Sequence, residues 1–215
     1  MSTSERVTRE RVVEAAVELA DADGLDAVSM RSVAGRLGVV PMALYRHVRN
    51  KEDLVGAMVD ELIGRYDPAG SQGEWQAEVR GRVLSARRVL LQHPWARRAI
   101  ESRATRTPAV LGHMDSLAGA FIRGGISPDL THHAMHALGH RIWGFSPEAF
   151  DDPDAVVPPE DPAELAALAS RMAEEYPAIV AIATGSPCDE DFEFEFALDL
   201  ILDGVARLHD RGWRS

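Results

Sequence analysis

Five cationic side chains and no acid lie between residues 28 and 51 of this chain. They are Arg31, Arg36, Arg46, Arg49 and Lys51. A guanidinium group can donate two parallel hydrogen bonds to a guanine edge, and Arg and Lys both bind phosphate oxygens. Met42 and Ala43 lie in the same stretch and offer methyl groups that suit contacts with thymine methyls. The chemistry that these residue types predict is recognition of DNA.

Two short helices joined by a tight turn would position these side chains. Ser29 is expected to cap the first helix, which stops at Gly38, and the second is expected from about Pro41 to His47. These are the dimensions of a helix-turn-helix, whose second helix enters the major groove while the first crosses the backbone. Leu44 and Val48 would then point inward, where they pack against the other helices.

The exposed residues of this unit have different expected roles. Arg46 is expected to contact a base edge, and Arg31 a base or a phosphate. The residues expected to contact phosphates are Tyr45, Arg49 and Lys51. The predicted DNA-binding residues are Ser29, Arg31, Pro41, Met42, Ala43, Tyr45, Arg46, His47 and Lys51.

The overall charge initially argues against DNA, because the 215 residues contain 23 Lys and Arg but 34 Asp and Glu, a net charge of −11. The charge is unevenly distributed, however. Residues 1–51 hold eight bases and seven acids, whereas residues 144–199 hold fifteen acids and one base. The charge therefore predicts which end of the protein faces DNA, and it predicts modest non-specific binding.

Helical periodicity runs through almost every segment, which predicts an all-α protein. Apolar stripes indicate helices ending at Gly24, starting after Asn50, and covering residues 75–91, 110–122 and 128–143. The alternation of Phe192, Phe194 and Phe196 suggests a strand, but a heptad-like seam through the same segment favours a helix of about twenty residues.

Three segments carry a resemblance to a known family. They read SMRSVA from residue 29, LGV from residue 37 and LYRHVRNK from residue 44. They resemble the DNA-binding domain of the TetR family of repressors, strongly over residues 6–66 and more weakly to about residue 145. Val40 departs from the pattern, because a Ser or Thr often caps the recognition helix at that position.

The resemblance implies an all-helical homodimer with an N-terminal three-helix DNA-binding domain and a C-terminal core that binds a small effector. The implied divisions are a helix-turn-helix domain at residues 1–50, a connecting helix at 51–66, and an effector-binding and dimerisation domain at 67–215. The implied function is a ligand-responsive regulator, a repressor that an effector releases from a palindromic double-stranded DNA operator. In this family the effector moves the connecting helix and respaces the two DNA-binding domains.

The expected effector site lies among apolar and polar side chains of the core, although the same apolar spacing also suits simple packing. The predicted ligand-binding residues are Trp95, Arg103, His113, Met114, Leu117, Phe121, His136, His140 and Trp143. The His residues with which tetracycline repressors bind their drug–magnesium complex have no clear counterparts here, so tetracycline is not the expected effector.

The last helix is apolar on two flanks, and a second copy of the chain would cover one of them. Its seam supplies the predicted dimerisation residues Phe194, Leu198, Ile201, Val205 and Leu208. Phe192, Phe196 and Leu200 form the other flank.

A metal-binding or enzymatic protein built on His132, His136 and His140 is the alternative, because His residues four apart can chelate a metal. The alternative is less favoured, since no acid or Cys shares their face. No nucleophile elbow, P-loop or dinucleotide motif is present, so neither catalysis, a metal nor another cofactor is expected. A single cysteine, a polar N-terminus and the lack of a long apolar run predict a cytoplasmic location with no membrane contact.

Overall fold

The computed structural model describes residues 6–66, 74–102, 106–143, 161–183 and 189–215, and within these ranges every regular element is helical. The α-helices are α1 (Arg9–Asp23), α2 (Met30–Arg36), α3 (Pro41–Leu44), α4 (Lys51–Gly64), α5 (Trp75–Gln92), α6 (Trp95–Glu101), α7 (Pro108–Arg123), α8 (Pro128–Trp143), α9 (Pro162–Glu175), α10 (Pro177–Ala183) and α11 (Glu190–Asp210). The expected all-α class is confirmed. No described helix combines the length and the apolar character needed to span a bilayer.

The N-terminal helices share one apolar core. The Thr8 side chain accepts a hydrogen bond from the Arg11 amide and starts α1, and Gly24, with φ of 81°, ends it. A buried cluster joins α1 to α2, α3, α4 and α6, and its most enclosed members are Val12, Ala16, Val33, Ala34, Leu44, Leu54, Met58, Ala96 and Ala99. Because α6 contributes two alanines to this cluster, it belongs structurally to the N-terminal core.

The turn after α2 fixes the angle between α2 and α3. Gly38 has φ of 67°, its amide donates to the Gly35 carbonyl, and the Val39 amide donates to the Ala34 carbonyl at 3.0 Å. This pair of hydrogen bonds is a Schellman motif, which satisfies carbonyls at the helix end and needs a left-handed residue. The expected stop at Gly38 is confirmed.

Replacing Gly38 by alanine is expected to lower the free energy of unfolding by about 1 kcal/mol, because L side chains are strained in the left-handed region. Gly35→Ala is the matched control: Gly35 lies within α2, and a Cβ there also meets no atom within 4 Å. It should instead stabilise the helix by about 0.5–1 kcal/mol. Urea denaturation measures both changes, and equal stabilisation by the two substitutions would contradict the strain argument.

Two short helices and one helix end differ from expectation. The helix expected from Pro41 to about His47 ends at Leu44. The reason is that the His47 amide donates to the carbonyl three residues earlier, that of Leu44, at 2.8 Å, which is the hydrogen bond of a 3-10 turn and not of an α-helix. Helices α6 and α10 were not predicted, since seven residues are too few for a clear apolar stripe. The last segment is helical over 21 residues, as the seam predicts.

Helices α5 and α7 pack closely in the core beyond the connecting helix. The Trp75 ring lies 5.3 Å from the Phe121 ring, and a Cβ at Gly124 would lie 2.4 Å from Trp75. A glycine at the end of α7 therefore lets the indole approach the backbone. The chain divides into two compact units, residues 1–136 with 208–215 and residues 137–207. Within the second unit, α9 and α10 pack against each other.

Candidate nucleic-acid interface and effector site

Ser29 caps the start of α2. Its hydroxyl accepts a hydrogen bond from the Ser32 amide at 3.1 Å, and the Ser32 hydroxyl in turn accepts one from the Ser29 amide at 2.9 Å. This reciprocal capping box fixes the beginning of the helix-turn-helix. The cap predicted at Ser29 is confirmed, and it leaves Ser29 half-buried.

The short helix α3 presents one buried and one exposed side. Leu44 and Val48 are buried in the N-terminal core, as the spacing predicts. Met42 is 72% exposed, and Tyr45 and Arg46 also project into solvent. Ala43 and His47 are half-buried, and Pro41 lies exposed in the first turn of α3, where a missing amide hydrogen costs no helical bond. Val40 makes no side-chain cap, so α3 begins at Pro41, whose fixed φ suits the first helical position.

The cations near α3 fall into two groups. Arg36 forms an ion pair with Glu18 of α1 at 3.0 Å, and Arg49 lies 3.5 Å from Asp53. Arg31, Arg46 and Lys51, in contrast, form no ion pair with any residue that the structure describes. All three are exposed, so their charge is available to an external anion.

The start of α4 is firmly attached to the end of the helix-turn-helix. The Asn50 side chain accepts a hydrogen bond from the Asp53 amide at 2.8 Å, while the Asp53 carboxylate accepts one from the Arg49 amide at 2.9 Å. The Arg49 amide and guanidinium lower the pKa of Asp53. Arg9 of α1 completes the junction by donating to the His47 carbonyl at 2.6 Å. These contacts connect the start of α4, and α1, to the residues that follow α3.

Trp95, a predicted ligand-binding residue, lies in the N-terminal core. It is buried there, and its indole N–H donates to Oδ1 of Asp21 at 2.6 Å. The same oxygen accepts a hydrogen bond from Nδ1 of buried His93 at 2.7 Å, and Nε2 of His93 lies 3.2 Å from Nη1 of Arg65. We call Arg65, His93, Asp21 and Trp95 the α1–α6 relay. No local pattern in the sequence predicts this relay, because Asp21 lies more than 70 residues before both His93 and Trp95.

The other described ligand-binding candidates lie mostly on α7. Leu117 and Phe121 are buried, whereas His113 and Met114 are half-buried. The ring of His113 meets the ring of Tyr66 edge-on at 4.9 Å. Tyr66 follows α4 directly, and sequence reasoning did not assign it to the site.

The histidines of α8 lie close to one another. The ring centroids of His132 and His136 are 4.6 Å apart, and both side chains are exposed. No group of three potential metal ligands occurs among the residues described. Of the remaining candidates, Arg103 and the side chains of His140 and Trp143 lie outside the described part of the protein.

Helix α11 buries its seam and exposes its flank. Phe194, Leu198 and Val205 are buried, and Ile201 and Leu208 are half-buried. The flank shows large apolar side chains to solvent: Phe192 is 64% exposed, Phe196 52% and Leu200 52%.

Comparison with known proteins identifies both parts of the chain. The profile of the family described as "Bacterial regulatory proteins, tetR family" matches residues 12–58. The profile described as "Tetracyclin repressor-like, C-terminal domain" matches residues 67–208. Together they cover the helix-turn-helix and most of the core.

Individual relatives agree with these profiles. An HTH-type transcriptional regulator of Saccharopolyspora erythraea is 34% identical over 143 residues, which are 66% of this chain and 61% of the relative. A class D tetracycline repressor of Escherichia coli is 37% identical over 92 residues, 41% of this chain and 42% of the repressor. The matched region is thus less than two thirds of either relative.

A solved structure shows the same fold over nearly the whole length. It is the Streptomyces coelicolor TetR family protein ActR in complex with actinorhodin, 25% identical, with a TM-score of 0.71 over 94% of this chain and 98% of that one. The fold, the helix-turn-helix with its available cations, and the two profile matches agree. This chain belongs to the tetR family of bacterial regulatory proteins, with a tetracyclin repressor-like C-terminal domain.

Proposed function

We propose that this protein is a transcriptional repressor that binds a palindromic DNA operator as a homodimer and leaves it when a small-molecule effector binds the core. The observation that carries this proposal is the surface around α3, which has Arg31, Arg46 and Lys51 exposed beside the apolar Met42. These are the groups that a major-groove helix uses toward bases and phosphates. Catalysis is not part of the proposal, and the cytoplasm is the proposed location because the DNA target is there.

The acidic charge is compatible with this surface because of where it lies. Residues 52–215 contain twelve more acids than bases, so the core repels phosphate and favours the orientation that presents α3. Affinity then rests on specific contacts made at two half-sites. Half-sites lie about 34–36 Å apart, or at multiples of this distance, so a small change in the spacing of the two DNA-binding domains disrupts binding.

The homodimer is proposed from the exposed flank of α11. Since Phe194, Leu198 and Val205 are already buried within one chain, we place the flank formed by Phe192 and Phe196 against a second copy. Ile201 and Leu208, which are half-buried, would lie at the edge of that contact. Two matching apolar flanks related by a two-fold axis form a self-complementary interface.

Control by an effector rests on the family and on the junction of α4 with α3. The similar structure with bound actinorhodin supports a small molecule in the core. A hundredfold loss of operator affinity requires that the effector prefer the released state by about 3 kcal/mol, an ordinary coupling energy. The junction at Asn50 and Asp53 supplies a rigid path for that coupling.

Operator binding by the purified protein is the test of the proposal. A fragment of the DNA upstream of its own gene should be retarded in a gel, with an affinity that falls steeply as salt rises. If neither this fragment nor any fragment selected from the genome is retarded, the protein is not a DNA-binding regulator.

Arg46→Ala and Lys51→Ala should weaken binding in different ways. Loss of Arg46 is expected to cost about 1–3 kcal/mol at the cognate half-site and to relax discrimination between sequences there. Loss of Lys51 should weaken binding to all sequences alike and reduce the salt slope by about one. Titrations against the operator and a scrambled fragment measure both effects, and a uniform loss for Arg46→Ala would assign that residue to phosphate instead.

A further inference from the structure

Tyr66 carries a buried hydroxyl that has no hydrogen-bond partner among the described residues. A buried, unsatisfied hydroxyl is unfavourable, because it has lost water without gaining a protein partner. Burial also raises the pKa of Tyr66 to about 12, so the phenol stays protonated and remains a donor. The hydroxyl is therefore a hydrogen-bond donor that the chain leaves available.

His113 supplies a second polar group beside it. Its ring lies edge-on to Tyr66, 4.9 Å away, and burial together with the nearby charge of Arg82 lowers the pKa of the imidazole. A lowered pKa favours the uncharged ring, which has one N–H donor and one acceptor nitrogen. His113 and Tyr66 thus form an uncharged pair that joins α7 to the end of α4.

The charge of Arg82, which acts on His113, is already paired. Arg82 donates two hydrogen bonds to Oε1 of Glu78, at 3.2 and 2.9 Å, and Arg123 reaches the same oxygen at 2.7 Å. A charged effector beside His113 would therefore lose its hydration without gaining Arg82 or Glu78 as an unpaired counter-ion, which is strongly unfavourable.

We propose that Tyr66 and His113 form the polar end of the effector site and select an uncharged, planar aromatic molecule that carries a carbonyl oxygen. The Tyr66 hydroxyl donates to that oxygen, and the aromatic skeleton packs against the two rings. This inference rests on the proposed function and adds the class of effector. It also places the effector next to Arg65, the first member of the α1–α6 relay.

The surrounding contacts give the effector a way to act on α4. The Thr107 hydroxyl at the start of α7 donates to the Asp60 carboxylate of α4, and α4 and α7 pack along each other. A molecule inserted at Tyr66 and His113 therefore separates two helices that are held together at Asp60. Since α4 is attached to α3 at Asn50, that separation changes the position of the recognition helix.

Three related probes test the class of effector. The probes are 9-fluorenone, which is uncharged with one ketone; fluorene, the same skeleton without oxygen; and 9-fluorenone-2-carboxylate, which is charged. The wild-type protein should bind 9-fluorenone about five- to tenfold more tightly than fluorene, the value of one neutral hydrogen bond, and should bind the carboxylate least. Calorimetric titration measures all three dissociation constants.

Tyr66→Phe separates a binding role from a structural one. It should abolish the preference for 9-fluorenone over fluorene, while the melting temperature of the free protein stays the same or rises because an unsatisfied hydroxyl is removed. Tyr176→Phe, at an exposed tyrosine after α9, is the matched control and should keep the preference.

Each contrary outcome has a defined meaning. The proposal is overturned if wild-type protein does not bind 9-fluorenone, prefers the carboxylate, or binds fluorene as tightly as the ketone. It is equally overturned if Tyr66→Phe retains the preference or lowers the melting temperature of the free protein. Gel retardation of the upstream fragment in parallel shows whether the proposed function stands, because operator binding does not depend on the effector class.

Discussion

Replacing Phe196 by glutamate is expected to convert the proposed homodimer into monomers. Phe196 lies on the exposed flank of α11, and its ring stacks on that of Phe192 with centroids 6.1 Å apart. Buried aromatic side chains at interfaces contribute about 2 kcal/mol or more, and a two-fold axis places each substitution in the interface twice. A loss of about 4 kcal/mol raises the dimer dissociation constant about a thousandfold.

The charge of α11 adds to this effect. The N-terminal half of the helix already holds Glu190, Asp191, Glu193 and Glu195, so a further carboxylate increases repulsion between two copies. Sedimentation equilibrium measures the dissociation constant. Operator affinity should fall as well, because a monomer contacts only one half-site.

Leu91→Glu is the matched control for Phe196→Glu. Leu91 lies on α5 and is 55% exposed, so the substitution places the same charge at a similarly exposed apolar side chain of a different helix. It should leave the dissociation constant unchanged. If Phe196→Glu remains a dimer at concentrations where Leu91→Glu does, the flank of α11 is not the subunit interface.

The DNA-binding region could be predicted closely because its signals are local. Ser29, Gly38 and Leu44 are fixed by capping, a left-handed turn and helical spacing, all within about sixteen residues. The same reasoning found the exposed position of Arg46, since Leu44 and Val48, four residues apart, form the inward face and Arg46 lies between them. The surface toward DNA could therefore be inferred without any long-range contact.

The effector site could not be predicted in the same way, because its geometry depends on contacts between distant segments. Tryptophan is a residue type that often lines pockets, but the indole N–H of Trp95 donates a hydrogen bond to Asp21, 74 residues earlier in the chain. Tyr66 has no periodic neighbour that marks it, and only its contact with His113 gives it a role. The exposed flank of α11 was visible as a second apolar face, but spacing alone could not determine which face the chain itself buries.

Asp21→Ala is expected to lower the free energy of unfolding by about 2–4 kcal/mol, because it leaves two buried donors of the α1–α6 relay unsatisfied. Those donors are the ring N–H of His93 and the indole N–H of Trp95, and both residues are buried. The relay also holds Arg65 at the end of α4, so the substitution should weaken operator binding through the position of the DNA-binding domain. Urea denaturation measures the first effect and gel retardation the second.

Asp26→Ala is the control. It removes a second connection between α6 and the N-terminal domain, but it leaves no buried hydrogen-bond donor without a partner. Asp26 forms an ion pair with Arg98 at 2.6 Å, and both side chains are largely exposed, so water replaces the lost partner and stability should not change measurably. Asp21→Asn keeps an acceptor oxygen and should retain most of the stability that Asp21→Ala loses. If asparagine is as destabilising as alanine, the charge of Asp21 holds the relay together; if alanine costs no more than Asp26→Ala, the relay does not stabilise the domain.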